Sequence, residues 1–311
     1  MTETLSNGAR DEVCQAPLSV EADEDFLTAR DGLKLRWRSE TTAGGTAKGE
    51  IAIVHGYGEH LGRYDHVAEA CLRRGFGVHR FEYRGHGRSQ GRRTHVDRFD
   101  DYLDDLDAFV THVASRAQGP IALVGHSLGG LIVARWLQTR GGHPIARAVL
   151  SDPFVGLAFA PPVWKRALSR LGSRLFPALR IANGLTVDQL TSDEEKQRET
   201  AADPLYLGTT TPRWFCEVTA AQEALLQNGE HLTTPFLMLL GERDPIASPE
   251  ASRRLFEAAS CPRKALITFD GMRHELFNER DRASVFAALF DWLERPLGEE
   301  IDAAAATVPT S

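Results

Sequence analysis

A chain of 311 residues, 42% hydrophobic and 25% charged, can bury one large core, and a net charge of −7 without a dense Lys/Arg block argues against nucleic acid as a partner. Its four cysteines, Cys14, Cys71, Cys216 and Cys261, are far apart and form no CxxC, so no disulfide framework and no metal site is expected and the thiols are read as reduced. The first 25 residues are acidic and polar with no apolar leader, and no run approaches a membrane span, which points to a cytoplasmic protein that is free to touch a membrane peripherally.

In chain order, residues 1–24 are expected to be a flexible tail. Segments 26–29 and 33–38, joined by Asp31-Gly32, predict a hairpin, because Asp-Gly is a strong turn signal between half-buried strands. The continuous apolar run 51–54 predicts a strand covered on both faces, followed by an amphipathic helix over 63–74 and a strand over 77–81. A charged loop runs through Arg93. Phe99, Tyr102, Leu103, Leu106, Phe109, Val110 and Val113 then recur at helical spacing. Further strands are predicted at 121–124, 146–150, 236–240 and 265–269, each next to a helical segment. Strands alternating with helices imply a mostly parallel sheet with helices on both faces, built here from 25–152 and 233–297. The interval 153–232 carries no convincing strand and is too long for a structureless loop, so it is expected to be a mainly helical cap over the C-terminal edge of the sheet. Residues 298–311 are expected to be a second flexible tail.

The centre of this pattern is Gly125-His126-Ser127-Leu128-Gly129, between an apolar run and a helical segment. A serine between two glycines on a strand-to-helix turn is a nucleophile elbow, which strains the serine and projects its Oγ from the sheet edge. The Leu128 N–H opens the following helix and is a candidate oxyanion donor. A nucleophile needs a base and the base an orienting acid. His274 follows the last predicted strand and Asp244 the one before it, giving the order Ser, Asp, His; Asp152, in Ser151-Asp152-Pro153, is the rival acid. The loop after the strand at 51–54 reads His55-Gly56-Tyr57-Gly58-Glu59-His60, and the Tyr57 N–H is the candidate second oxyanion donor.

Six motifs carry a resemblance: HGYGEHLGRY from His55, YRGHGRSQG from Tyr83, GHSLGG from Gly125, SDP from Ser151, ERDPIASP from Glu242 and GMRHELFNE from Gly271. Together they resemble the monoacylglycerol lipase and lysophospholipase-like group of α/β-hydrolases, which includes proteins called serine aminopeptidases. The resemblance implies an α/β-hydrolase fold, catalytic Ser127, Asp244 and His274, and oxyanion donors at Tyr57 and Leu128. It adds Glu59 and Arg63 as contacts for the glycerol end of a substrate. No cofactor or metal is implied. Two positions depart from the group: Phe277 stands where animal relatives carry a histidine, and Glu82 where an aspartate is usual.

The expected function is therefore a serine carboxylic ester hydrolase that acts on lipid-like esters through an acyl-enzyme, of monoacylglycerol lipase or lysophospholipase type. Two alternatives are carried. A serine aminopeptidase would need acids near the cleft, such as Glu217, Glu223 or Glu230, to hold an α-amino group; a catalytically silent binding protein would need no complete set of catalytic parts. Within the cap, residues 163–179 place Val163, Trp164, Ala167, Leu168, Leu171, Leu175 and Leu179 on one helical face and Lys165, Arg166, Arg170 and Arg174 on much of the remainder. The expectation is an apolar tunnel wall containing Leu171 and Leu175, with the basic residues assisting transient membrane contact and Gly172 and Pro177 interrupting the helix.

Overall fold

The computed structural model describes residues 18–159, 162–296 and 305–309. β1 (Val20–Thr28) and β2 (Lys34–Thr42) pair antiparallel around a turn in which Gly32 has φ +89°. The flexible tail expected over 1–24 is corrected from Val20 onward, while 1–17 lie outside the described residues. The reason is that β1 is exposed along nearly its whole length, so it carries no alternation of apolar residues. Ladder bonds to β2 hold it, with ion pairs from Arg36 to Glu24 at 2.7 Å and Arg116 to Asp23 at 2.9 Å.

The chain continues through β3 (Glu50–Val54), α1 (Asp65–Arg73), β4 (Gly77–Phe81), α2 (Asp100–Ala114), β5 (Ile121–His126), α3 (Leu128–Thr139) and β6 (Ile145–Ser151). Next come α4 (Val163–Leu175), β7 (Ile181–Ala182), α5 (Val187–Leu190), α6 (Glu194–Ala202), β8 (Thr209–Thr210) and α7 (Pro212–Gln227). It closes with β9 (Phe236–Gly241), α8 (Pro249–Ala258), β10 (Lys264–Phe269), α9 (Arg282–Glu294) and β11 (Ala305–Val308). The sheet order is β1-β2-β4-β3-β5-β6-β9-β10-β11, antiparallel only where β2 meets β1 and β4. β11 extends the parallel edge beside β10, which corrects the tail expected over 298–311 at Ala305–Val308, while 298–304 and 310–311 lie outside the described residues. Four residues at an edge are too few for a sequence pattern to reveal.

The inner strands read as continuous apolar runs because both faces are covered. Ile51 and Ile53 of β3 point into the layer with α1 and α9, whereas Ala52 and Val54 point into the layer with α2 and α3. Burying each such aliphatic side chain contributes roughly 1.5–3 kcal/mol.

The interval between β6 and β9 divides differently from the expected cap. α7 starts at Pro212 behind the N-cap Thr211 and packs on α3 and α8. Val218, Ala221 and Leu225 are buried in the same cluster as Leu131 and Trp136 of α3, and the Gln138 amide donates to the Leu225 carbonyl at 3.1 Å. α7 therefore adds to the core layer on one side while α4 packs on it from the other. α4 also departs from expectation: its apolar face points to solvent, leaving Leu171 at 53% and Leu175 at 61% exposure. Small residues make the close contact instead. A Cβ on Gly172 would stand 3.2 Å from Pro212 Cβ, and the Ser173 carbonyl accepts from Arg213 at 2.9 Å. Gly172 thus serves packing against α7 and does not interrupt the helix, and Pro177 lies beyond its end.

Candidate active site

Ser127 sits between β5 and α3 with φ +52° and ψ −118°, a conformation that L residues rarely adopt. The flanking glycines are required by space. A Cβ on Gly125 would lie 2.7 Å from the Gly129 carbonyl oxygen, and one on Gly129 would lie 2.2 Å from that of Val54. The strain is held by surrounding bonds: the Ser127 N–H donates to Ser151 O at 3.0 Å, and the Ser127 carbonyl accepts from Leu131 N at 3.1 Å and Phe154 N at 2.9 Å. Leu128 is the first residue of α3, so its N–H has no acceptor within the helix.

Asp244 and His274 emerge from the C-terminal ends of the adjacent strands β9 and β10. His274 Nε2 lies 2.8 Å from Ser127 Oγ, and His274 Nδ1 lies 2.7 Å from Asp244 Oδ2. The other carboxylate oxygen of Asp244 accepts from Ile246 N at 2.7 Å and Ala247 N at 3.0 Å, which fixes its orientation. All three residues are buried. Burial disfavours the charged imidazole of His274, but the charge and hydrogen bond of Asp244, with Glu275 and Glu59 nearby, outweigh it and raise its pKa. The arrangement can deprotonate a hydroxyl at Ser127 and stabilise the imidazolium that results.

Asp152, the rival acid, follows β6 with φ +40° and is buried. Its Oδ1 accepts the Gly241 N–H at 2.8 Å, and no hydrogen bond joins it to His274. Burial and the neighbouring Asp244 raise its pKa well above the ordinary range, and its side-chain hydrogen bond braces the end of β9.

The loop after β3 carries Tyr57, whose ring packs on Trp214 at 4.0 Å between centroids and whose hydroxyl lies 3.0 Å from the Thr209 carbonyl. No described residue accepts the Tyr57 N–H. Gly58 has φ +78°, and a Cβ there would meet Leu207 O at 2.6 Å, so the loop closes tightly under the cap. His55 stacks on Tyr83 and is lowered by burial to about 4, a neutral structural ring.

Glu59 and Arg63 are placed differently from each other. Glu59 borders the cavity described below; Arg63 does not, and its guanidinium is occupied by Glu275 at 2.8 Å and Thr200 at 2.7 Å, with Glu59 at 3.6 Å. As a direct glycerol contact Arg63 is therefore corrected to a brace behind the wall. Burial alone would raise Glu59, but His126 and Arg63, with the Tyr64 hydroxyl, hold it below the carboxylate range. Glu275 is raised by burial and by Glu59, against the opposing pull of Arg63. Phe277 is buried against Phe286, and Glu82 is buried where it accepts from Arg88 N at 2.6 Å; neither borders the cavity.

Ser127 and His274 open on a cavity of about 320 Å³, the scale of a small-molecule site. Much of its wall is apolar, formed by Phe154, Leu157, Phe159, Ile181, Leu185 and Ile246. A polar corner carries Glu59, His126, Glu275 and Tyr206. From α4 the lining residues are Lys165 and Ser169 and neither Leu171 nor Leu175. Glu217, Glu223 and Glu230 do not border it: they pair with Phe99 N, Arg166 and His231. Glu275 was legible only as a letter in the motif after Gly271, since no periodicity marks a residue that turns toward a cavity.

A family model described as serine aminopeptidase, S33 matches residues 45–281. The phospholipase YtpA of Bacillus subtilis is 29% identical over 239 residues, covering 76% of this chain and 92% of its own. The monoacylglycerol lipase of Mycolicibacterium smegmatis is 29% identical over 248 residues, covering 79% and 88%. The crystal structure of the Paleococcus ferrophilus monoacylglycerol lipase superposes with a TM-score of 0.75 at 31% identity, covering 84% of this chain and 98% of that one. This chain belongs to the serine aminopeptidase S33 family of α/β-hydrolases.

Proposed function

We propose that the protein hydrolyses carboxylic esters of lipids, of monoacylglycerol lipase or lysophospholipase type, through an acyl-enzyme on Ser127. The observation that carries this reading is the hydrogen-bonded chain Asp244–His274–Ser127 opening on a largely apolar cavity. Ser127 Oγ attacks the ester carbonyl while His274 Nε2 takes its proton, and Asp244 holds the Nδ1 tautomer. The tetrahedral oxyanion is bound by the N–H groups of Leu128 and Tyr57. His274 then protonates the departing alcohol, and water, deprotonated by the same ring, releases the fatty acid.

Where the substrate comes from is a second part of the reading. Phe159, Trp164, Leu168, Leu171, Leu175 and Phe176 are all more than half exposed, and Phe159 also lines the cavity. Such a band, reaching the cavity at Phe159, supports transient docking on a lipid surface. No described helix is long and apolar enough to cross a membrane.

A fluorophosphonate probe should label Ser127, and a panel of monoacylglycerols, lysophospholipids and aminoacyl amides should show lipid esters as the better substrates. Absent labelling would support the silent binding protein, and faster cleavage of aminoacyl amides would support the aminopeptidase.

A further inference from the structure

Two buried carboxyl groups share the corner of the cavity beside His274, and one guanidinium serves both. Glu59 and Glu275 are each 3% exposed and both line the cavity with Ser127. Arg63 Nη2 donates to Glu275 Oε1 at 2.9 Å and Oε2 at 2.8 Å, while its Nε lies 3.6 Å from Glu59 Oε1. Glu59 Oε2 also accepts from Gly56 N and the Tyr64 hydroxyl, both at 2.8 Å, and Glu275 Oε2 accepts from the Asn278 amide at 2.7 Å. A carboxylate offers roughly four acceptor positions, so these bonds leave acceptor capacity on the pair. Two carboxylates against one guanidinium leave the corner negative when both are ionised, and Asp244 adds a further negative charge behind His274. The lysine of the lining, Lys165, belongs to α4.

We propose that Glu275, together with Glu59, sorts substrates by the charge of the leaving group, admitting a neutral polyol and rejecting the same alcohol when it carries phosphate. The proposal rests on the lipid-ester reading above and, within it, selects the monoacylglycerol over the lysophospholipid substrate. Polarity divides the substrate between the walls: an acyl chain suits the apolar side, which leaves the alcohol for the polar corner. Hydroxyl groups of a polyol donate to carboxylate oxygens. A phosphate brings only acceptors and negative charge, and beside apolar walls like charges repel more strongly than in bulk water.

The test compares 1-hexanoylglycerol with 1-hexanoylglycerol 3-phosphate, two short esters chosen to stay in solution and away from the exposed band of α4. At pH 8 the phosphate is a dianion. The wild-type kcat/KM should favour the neutral ester by at least about tenfold, since even one repulsive contact at this range is worth that much. Glu275→Gln should narrow the ratio at least about threefold; a ratio within one enzyme is insensitive to partial loss of folded protein. A ratio unchanged in Glu275→Gln, or a wild-type enzyme that cleaves the phosphate ester equally well, overturns the proposal. Should the variant not be obtained in folded form, the wild-type ratio decides alone. If neither ester is cleaved and the fluorophosphonate leaves Ser127 unlabelled, the hydrolase reading itself has failed and this proposal falls with it; labelling with an inverted ratio overturns the charge-sorting alone.

Discussion

His274 Nε2 lies 2.8 Å from Ser127 Oγ although 147 positions separate the two residues. The contact exists because β5 and β10 end on the same edge of the parallel part of the sheet, each followed directly by a tight turn. Replacing Ser127 by Ala should lower ester hydrolysis by at least about a thousandfold, given that loss of the nucleophile from such a unit costs on the order of a million-fold in the best-measured protease. The melting temperature should stay within a few degrees, because the small side chain keeps the same space. Steady-state kinetics on a p-nitrophenyl ester with a parallel thermal melt checks both; activity within tenfold of wild type would remove Ser127 from the chemistry.

The two acids at the sheet edge should separate cleanly. Asp244→Asn should reduce kcat by about four orders of magnitude through the wrong His274 tautomer. Asp152→Asn should reduce it by less than about tenfold, because Asp152 makes no hydrogen bond to His274 and an amide oxygen can still accept the Gly241 N–H. Kinetics of the pair decide it, and a reversed order would place the acid on β6.

The pH profile follows from the direction of the His274 shift. The base works only when neutral, and its pKa is raised in the folded protein, so the imidazolium persists to higher pH than in a free histidine. The acid limb of kcat/KM should therefore lie above the ordinary value of about 6.5. Removing the charge with Asp244→Asn should move the residual limb downward, since burial then dominates. A limb at or below 6.5 in the wild type contradicts this electrostatic account.

Leu171 and Leu175 already face water, so Leu171→Ser with Leu175→Ser should cost little stability. A leucine moved from water into an apolar phase contributes roughly 1.5–3 kcal/mol, so the double variant should bind phosphatidylglycerol vesicles at least about tenfold more weakly in a sedimentation assay. Hydrolysis of a soluble short ester should fall far less. Unchanged vesicle binding would assign the exposed band some other role.

A methyl group at Gly129 would stand 2.2 Å from the Val54 carbonyl oxygen, a backbone atom that cannot swing aside. Gly129→Ala should therefore lower the melting temperature by several degrees or prevent folding altogether, a cost of at least about 2 kcal/mol for overpacking. A melt unchanged within error would mean that the elbow can relax, and the close approach of β3 and α3 would then not be a constraint on the sequence.

Periodicity and turn chemistry made much of this molecule legible. The apolar runs of β3, β5 and β9 and the helical spacing of α2 are local patterns, because strands covered on both faces and helices with one buried stripe write their environment into neighbouring residues. Ser127 was legible for a related reason: the elbow needs glycine at 125 and 129 in a fixed local frame. Asp244 and His274 were placed by strand order, a weaker signal that the family resemblance supported. Other features depended on surfaces that meet only in the fold. β1 is held by ladder bonds that need no apolar residues, and β11 by four residues at an edge. Leu171 and Leu175 show why amphipathic spacing alone misleads: it gives the face of α4 but not what that face meets, and contact with α7 is made by residues such as Gly172, Ser173 and Arg166 instead. The carboxyl corner of Glu59 and Glu275 likewise arises only when Glu275 meets Arg63, 212 positions away, a coincidence of place that no window of sequence contains.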